Sequence, residues 1–153
     1  MIQILNKKQE QEIAGYLKEQ FGANKIPGKL MKMGEERIFL FCGNATDEEI
    51  YRIERIVPVE RVGFYFAKII RDEFKLSIEG SQALKDEITR NIFELDKEQA
   101  EKWMMGQELN IKTGKRGFLI MKYRDDFLGC GKASEEKIGN FVPKMRRLKN
   151  KLN

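Results

Sequence analysis

The spacing of hydrophobic and polar residues along the first 75 positions predicts alternating helices and strands. Asn6 begins a capping box, and the apolar stripe that follows it stops at Gly22, so one helix is predicted between them. Thr46 begins a second capping box and a helix that Pro58 ends. The predicted buried face of this helix is Ile50, Ile53 and Ile56. Hydrophobic runs predict a hairpin with strands at 29–33 and 36–42, and a further strand at 61–70. Residues 1–75 are therefore expected to form a small α+β domain.

The pattern starts again in the second half and indicates another domain over residues 76–153. Residues 77–90 have an irregular helical pattern, and Asp96 caps a clearer helix that stops at Gly106. Short strands are predicted at 91–95, 108–111, 117–123 and 127–133, with 112–116 as the loop between the second and third. One clear helix among several short strands is typical of a small, partly open β-barrel. The predicted fold class is α+β.

The composition excludes several kinds of chemistry. The chain contains no histidine, which excludes His-dependent catalytic triads, histidine metal ligands and histidine general acid–base catalysis. Cys42 and Cys130 are too few for a disulfide framework and form no CxxC motif. Both are expected to be small buried residues. No catalytic residue, metal ligand or cofactor site is predicted.

The sequence carries no sign of membrane insertion. No apolar run approaches the roughly 20 residues that span a bilayer. The first residues also lack the charged-then-apolar order of a signal peptide. We therefore expect a cytoplasmic location and no membrane partner.

Positive charge is concentrated towards the C-terminus. Residues 101–153 hold 13 basic and 6 acidic side chains, whereas residues 1–100 hold 16 and 18. From Lys137 to the end there are six basic residues and no acidic one. Such a run is often only a solvated surface, but the complete lack of acidic residues favours contact with a polyanion.

Gly129 and Gly131 alternate along the strand predicted at 127–133. Glycine weakens an ordinary strand, so this spacing suggests a bulge or another backbone that passes close by. That backbone could belong to a nucleic acid, or the glycines could relieve crowding at a corner of the barrel. Trp103 could likewise stack on a base, although its position beside Ala100 favours packing in the core.

Three separate blocks of the second half resemble a known family, the PUA-like RNA-binding module at the C-terminus of Sun-type RNA cytosine-5 methyltransferases. The first block has a helix that ends in a tryptophan near a glycine. The second is an aliphatic-Gly-x-Gly-Lys segment, and the third an Asn-x-x-Pro-Lys-x-x-Arg-like ending. These positions are Trp103, Gly106, Leu128, Gly129, Gly131, Lys132, Asn140, Pro143, Lys144 and Arg147. The N-terminal half more loosely resembles the small α/β domains that precede PUA modules in some archaeal RNA proteins.

The resemblance implies RNA binding without methyl transfer. Sun-type enzymes carry a separate Rossmann-like domain with a glycine-rich cofactor loop and a catalytic cysteine in a Pro-Cys motif. This sequence has neither that loop nor a cysteine after a proline. The expected function is non-catalytic binding of structured rRNA or tRNA in RNA modification or ribosome biogenesis, with an RNA-modifying enzyme as a partner in trans. The alternatives are an enzyme or accessory subunit in RNA modification and, with least support, a protein-binding adaptor using Met104, Met105 and Met145.

The candidate RNA-binding residues combine backbone access, positive charge and groups able to contact bases. The glycines would let the RNA backbone approach, basic side chains would contact phosphates, Phe141 would stack on a base, and Asn140 would read a base edge. The set is Gly129, Gly131, Lys132, Lys137, Asn140, Phe141, Lys144, Arg146 and Arg147.

Overall fold

The computed structural model describes residues 1–151; residues 152 and 153, the end of the predicted second domain, lie outside the described residues. The first half contains an antiparallel five-stranded sheet, sheet A, whose strands lie in chain order. These strands are β1 (Ile2–Ile4), β2 (Lys29–Met33), β3 (Arg37–Phe41), β4 (Phe64–Ile70) and β5 (Glu73–Leu76). Among residues 1–151, no helix is long and apolar enough to cross a membrane.

Two helices cover opposite faces of sheet A. Leu17 of α1 (Lys7–Phe21) belongs to the same buried cluster as Leu30, and Ile50 of α2 (Asp47–Ile56) packs in the cluster of Met31. Because Leu30 and Met31 are consecutive residues of one strand, their side chains point to opposite faces. Each helix therefore protects one face of the sheet from water.

The second half contains sheet B, a four-stranded, curled half-barrel. Its strands are β6 (Ile92–Glu94), β7 (Gly117–Tyr123), β8 (Asp126–Ala133) and β9 (Ile138–Gly139). β6 runs parallel to β7, and the other pairs are antiparallel. The remaining elements are α3 (Ile78–Ala83), α4 (Lys97–Met104) and the 3-10 turn Lys144–Arg146. The α+β class predicted from the sequence is confirmed.

The two sheets share a hydrophobic core. Phe74 of β5 and Phe118 of β7 are buried in one cluster. The backbone N–H of Leu76 donates to Cys130 Sγ at 3.2 Å, and the N–H of Gly129 donates to Ser81 Oγ at 2.9 Å. The predicted division of the chain after residue 75 falls within β5 and stays a prediction.

The predicted helix starts are confirmed. Asn6, Thr46 and Asp96 each cap a helix, and each cap forms the reciprocal hydrogen bonds of a capping box with the residue three positions later. Gly22 ends α1 in the left-handed conformation, with φ of 74°. These signals are local, so they do not depend on where the rest of the chain packs.

The predicted buried face of α2 is wrong for two of its three residues. Ile50 is buried, but Ile53 and Ile56 are 51% and 73% exposed. Of the three isoleucines, Ile50 is the one that packs in the cluster of Ile2 and Met31. The side of α2 that faces the sheet carries Tyr51 and Glu54 instead, which accept hydrogen bonds from the backbone N–H groups of Ile4 and Ile2 at 2.9 and 2.7 Å.

Two secondary-structure predictions in the middle of the chain need correction. Residues 77–90 contain only the short helix α3, and the strand β5 before it was not predicted. The strand predicted at 108–111 is reduced to one antiparallel bridge between Leu109 and Ile138. Residues 112–116 are therefore not a hairpin loop, since both edges of β7 are occupied by β6 and β8.

Candidate nucleic-acid interface

The two glycines of β8 are buried against other parts of the protein. A Cβ on Gly131 would lie 2.5 Å from Ile138 Cγ2 and 2.9 Å from Trp103 Cη2. Gly129 has φ of +78°, and a Cβ there would lie 3.3 Å from the backbone N of Ile78. Both residues therefore have an internal packing reason to be glycine. The sequence left two explanations open, the approach of an RNA backbone and the relief of crowding. The structure shows the crowding that glycine relieves at both positions.

Trp103 lies in a buried hydrophobic cluster of the second half that also contains Leu119, Met121 and Ile138. It is fully buried, and its Nε1–H donates to the carbonyl oxygen of Leu128 at 3.0 Å. The packing interpretation of this tryptophan is confirmed, because a side chain without exposed surface has no face to offer a base.

Asn140 ties the segment after β9 to the end of α4. Its Nδ2 donates to the carbonyl oxygens of Trp103 and Gln107 at 2.8 and 2.9 Å, and its Oδ1 accepts from Val142 N–H at 2.8 Å. The side-chain amide thus has three partners within the protein. Its role as a reader of base edges stays a prediction.

A line of cations and aromatic rings crosses the junction between the sheets. Lys75 Nζ lies 4.2 Å from the centroid of the Phe141 ring, which lies 6.1 Å from the Phe118 ring. Lys132 Nζ lies 5.4 Å from the Phe118 ring. Phe141 is 41% exposed, so one of its surfaces is available to a ligand.

The basic residues of the last segment differ in their surroundings. Lys144 is exposed, whereas Arg146 pairs with Glu79 of α3. Arg147 is only partly exposed, and its Nε–H donates to the carbonyl oxygen of Val142 at 3.0 Å. The three cations therefore lie together, but Arg147 also holds the last segment in place.

Lys137 has a different partner from these three residues. Its Nζ is 2.7 Å from Glu108 Oε2, and both side chains are about half exposed. An exposed pair of this kind contributes little to stability. Lys137 remains accessible, but its charge is balanced by a neighbouring carboxylate.

Three of the candidate residues, Gly129, Phe141 and Arg146, line a groove between the two halves, which we call the junction groove. It is lined by side chains that include Tyr65, Lys75, Glu79, Phe141, Pro143 and Arg146. Its cations and aromatic rings suit a nucleic acid, because cations attract phosphates and bases stack on aromatic rings.

A second groove, the cationic cleft, extends over sheet A. It is lined by Arg37, Phe39, Glu60, Arg61, Tyr65, Lys68 and Lys75. Tyr65 and Lys75 line both grooves, so the two are contiguous. The cleft was not predicted, because β5, which carries Lys75, was not predicted either. The alternation of charged and apolar residues at 73–76 was the available signal.

Burial affects two ionisable groups near the junction. Desolvation, followed by repulsion from Lys68, lowers the pKa of the Lys75 ammonium below its ordinary value. Desolvation also raises the pKa of the Cys130 thiol to about 12. Cys130 is therefore an inert, protonated thiol at neutral pH, whereas Cys42 is exposed. The expectation that both cysteines are buried is wrong for Cys42.

Another concavity, beside the start of α4, has the opposite electrostatic character. Its lining includes the carboxylates of Asp96, Glu98 and Glu108 with the single cation Lys102. Such a surface repels a polyanion. Within residues 1–151, no group of three or more acidic or cysteine side chains is placed to hold a metal ion.

Residues 90–148 match the family described as the PUA domain of methyltransferase RsmF. This match confirms the resemblance predicted from the blocks around Trp103, Gly129 and Pro143. It covers sheet B, α4 and the last 3-10 turn, which are the elements that carry the candidate residues.

Similarity to curated relatives extends beyond that segment. The chain is 27% identical over 139 residues to ribosomal RNA small subunit methyltransferase F of Shewanella oneidensis, covering 90% of this chain and 28% of the relative. It is 26% identical over 119 residues to the protein of the same name from Aeromonas salmonicida, covering 77% and 24%. For the Aliivibrio fischeri protein the identity is 29% over 105 residues, covering 64% and 22%. The chain thus spans about a quarter of the length of these relatives.

Proposed function

From the premise that residues 90–148 are a PUA domain of the RsmF type, we propose that this chain binds ribosomal RNA of the small subunit and transfers no methyl group itself. The observation that carries the proposal is the match of this segment to an RNA-modification domain. The exposed cations and the Phe141 ring around the junction groove support it physically. This function places the chain in the cytoplasm, where ribosomal RNA is.

The proposed contacts divide by accessibility. Lys132, Lys144 and Arg146 contact phosphates, because all three are exposed. Arg146 lines the groove, Lys144 lies two residues before it in the chain, and Lys132 Nζ lies 5.4 Å from the Phe118 ring. Phe141 stacks on an unpaired base. The remaining candidates shape or flank this surface; they are Gly129, Gly131, Lys137, Asn140 and Arg147. Arg147 adds positive charge while its hydrogen bond to Val142 holds the segment.

The RNA target is proposed from the relatives. Their name specifies ribosomal RNA of the small subunit, so this RNA is the favoured ligand and tRNA the weaker one. The enzyme that modifies the RNA would be a partner in trans. The alternative, an accessory subunit of a cytosine-5 methyltransferase, differs in requiring a stable protein complex.

The test measures binding of the purified chain to three in vitro transcripts: bacterial small-subunit rRNA, large-subunit rRNA and a tRNA. The expected result is tightest binding to the first, with an affinity that falls steeply as salt rises. Equal or absent binding to all three would overturn the proposal. The variant Lys132→Gln with Lys144→Gln should weaken binding and make the dependence on salt shallower. Its matched control is Lys8→Gln with Lys18→Gln, two exposed lysines on α1.

Catalysis is tested on the same preparation. Calorimetric titration with S-adenosylmethionine should give no heat of binding, and incubation with labelled cofactor and rRNA should transfer no label. Micromolar binding of the cofactor would contradict the non-catalytic assignment while leaving RNA binding intact.

A further inference from the structure

Three cations lie side by side across strands β3, β4 and β5 of sheet A. Arg37 of β3 is directly opposite Lys68 of β4, and Lys68 is directly opposite Lys75 of β5. Adjacent strands are about 4.8 Å apart, so the backbone positions of these three cations span about 10 Å. Like charges at directly opposed positions destabilise a sheet. The row therefore costs stability and calls for a compensating role.

The surroundings of the row offset only part of its charge. Glu36 pairs with Lys68 at 3.0 Å. Glu60 lines the cleft together with four cations, which are the three of the row and Arg61. Lys75 is half-buried, and its ammonium lies over the ring of Phe141. Repulsion from Lys68 contributes to the lowered pKa of Lys75. An anion in the cleft would relieve the repulsion that the protein itself leaves in place.

The row also connects to the proposed RNA surface. Lys75 and Tyr65 line both the cationic cleft and the junction groove. The line of cations and rings therefore runs from Arg37 on sheet A through Phe141 to Lys132 on sheet B. Neither half of the protein contains the whole path.

We propose that the cationic cleft of the N-terminal half binds the sugar–phosphate backbone of a single-stranded RNA segment whose neighbouring bases stack at Tyr65 and Phe141. The inference rests on the proposed function and extends it, because it makes the N-terminal half part of the RNA site. Charge complementarity identifies a polyanion. The aromatic rings at the shared edge favour a single strand, since bases inside a duplex cannot stack on a side chain.

The experiment compares two triple variants with the wild-type chain. The row variant is Arg37→Gln, Lys68→Gln and Lys75→Gln. The control is Lys7→Gln, Lys8→Gln and Lys18→Gln, which removes the same charge from α1 on the opposite face of sheet A. The probes are a fluorescently labelled single-stranded RNA of 16 nucleotides and a duplex of equal length. Thermal unfolding of each variant verifies that it is folded.

The row variant should bind the single strand at least tenfold more weakly at fixed salt, and the control within about twofold of wild type. The slope of log K against log salt should become shallower by about 2, because each phosphate contact on a single strand contributes about 0.7. The melting temperature of the row variant should change little, because the repulsion that its substitutions remove offsets the loss of the Lys68–Glu36 pair and of the Lys75–Phe141 contact.

Failure of the inference is distinguishable from failure of the proposed function. No RNA binding by the wild-type chain overturns both. Normal binding by the row variant, or equal weakening by the control, overturns the inference alone. Equal loss on the duplex overturns the single-strand assignment. Displacement of the RNA by poly-glutamate of matched charge would show a general site for acidic polymers and overturn RNA as the occupant.

Discussion

Lys75 Nζ lies 4.2 Å from the centroid of the Phe141 ring, so a cation of sheet A covers an aromatic ring of the segment that follows β9. The contact is a cation–π interaction between residues from the two halves of the chain. It places the exposed ring at the point where the junction groove and the cationic cleft meet. The ring is therefore the central position from which the proposed RNA surface can be tested.

Replacing Phe141 tests stacking directly. Phe141→Ala should weaken binding of single-stranded RNA by about tenfold, since a stacked base contributes about 1–3 kcal/mol. Phe141→Tyr keeps the ring and should retain most of the affinity. Fluorescence anisotropy with the labelled 16-nucleotide RNA measures both. Equal affinities for the two variants would contradict a stacking role.

Replacing Glu79 should change the RNA affinity in the opposite direction. Glu79 pairs with Arg146 beside the groove, so its carboxylate neutralises this cation and also repels phosphate. Glu79→Gln should strengthen RNA binding several-fold and steepen the dependence of affinity on salt. Glu98→Gln serves as the control, because Glu98 pairs with Lys102 on α4 outside the groove. A decrease in affinity for Glu79→Gln would show that the pair mainly positions Arg146.

A substitution at Asn140 distinguishes a structural role of this side chain from base recognition. Asn140→Asp would place a carboxylate against the carbonyl oxygens of Trp103 and Gln107, which now accept hydrogen bonds. The free energy of unfolding should fall by about 2 kcal/mol, because two hydrogen bonds are lost and a carboxylate is placed against two carbonyl oxygens. Chemical denaturation measures this loss. A variant with unchanged stability but altered base preference would instead support base-edge reading.

Two glycines with similar backbone conformations provide a matched pair for stability. Gly106 has φ of +85°, and an added Cβ would lie 2.3 Å from Arg147 Nε; Gly34 has φ of +75° with nothing within 4 Å. Gly34→Ala should cost only the left-handed strain of about 1 kcal/mol. Gly106→Ala should cost more, because Arg147 must move and lose its bond to Val142. Equal losses in denaturant unfolding would show that the contact with Arg147 contributes nothing.

The buried thiol of Cys130 predicts a dependence of stability on alkaline pH. Its pKa is raised by burial from 9.0 to about 12, so the unfolded chain releases this proton at a lower pH than the folded protein. The contribution to stability is complete below pH 9 and is lost as the pH rises towards 12, by up to about 4 kcal/mol. The Cys130→Ala variant lacks this pH-dependent contribution to stability. The difference in unfolding free energy between wild type and variant should therefore shrink between pH 8 and 11.

Thiol labelling checks the same assignment independently. In the folded protein a disulfide reagent should modify the exposed Cys42 and leave Cys130 unmodified. Both should react after denaturation. Rapid labelling of Cys130 under native conditions would contradict its burial.

Local signals account for what the sequence predicted correctly. The capping boxes at Asn6, Thr46 and Asp96 depend on residues three positions apart, and the strands β7 and β8 are continuous runs with a short turn between them. Weak or short elements were missed or misplaced. β5 has four residues, and residues 108–111 pair only through Leu109.

The sequence by itself determined the α+β class, the helix starts, the blocks of PUA resemblance and the basic C-terminal run, because each is set by neighbouring residues. Only the tertiary structure decided which cations lie together. Arg37, Lys68 and Lys75 become one row through the register of three strands, and Lys75 meets Phe141 through packing between the two halves. Cross-strand register and sheet packing depend on residues far apart in the chain, and no local pattern encodes these distances.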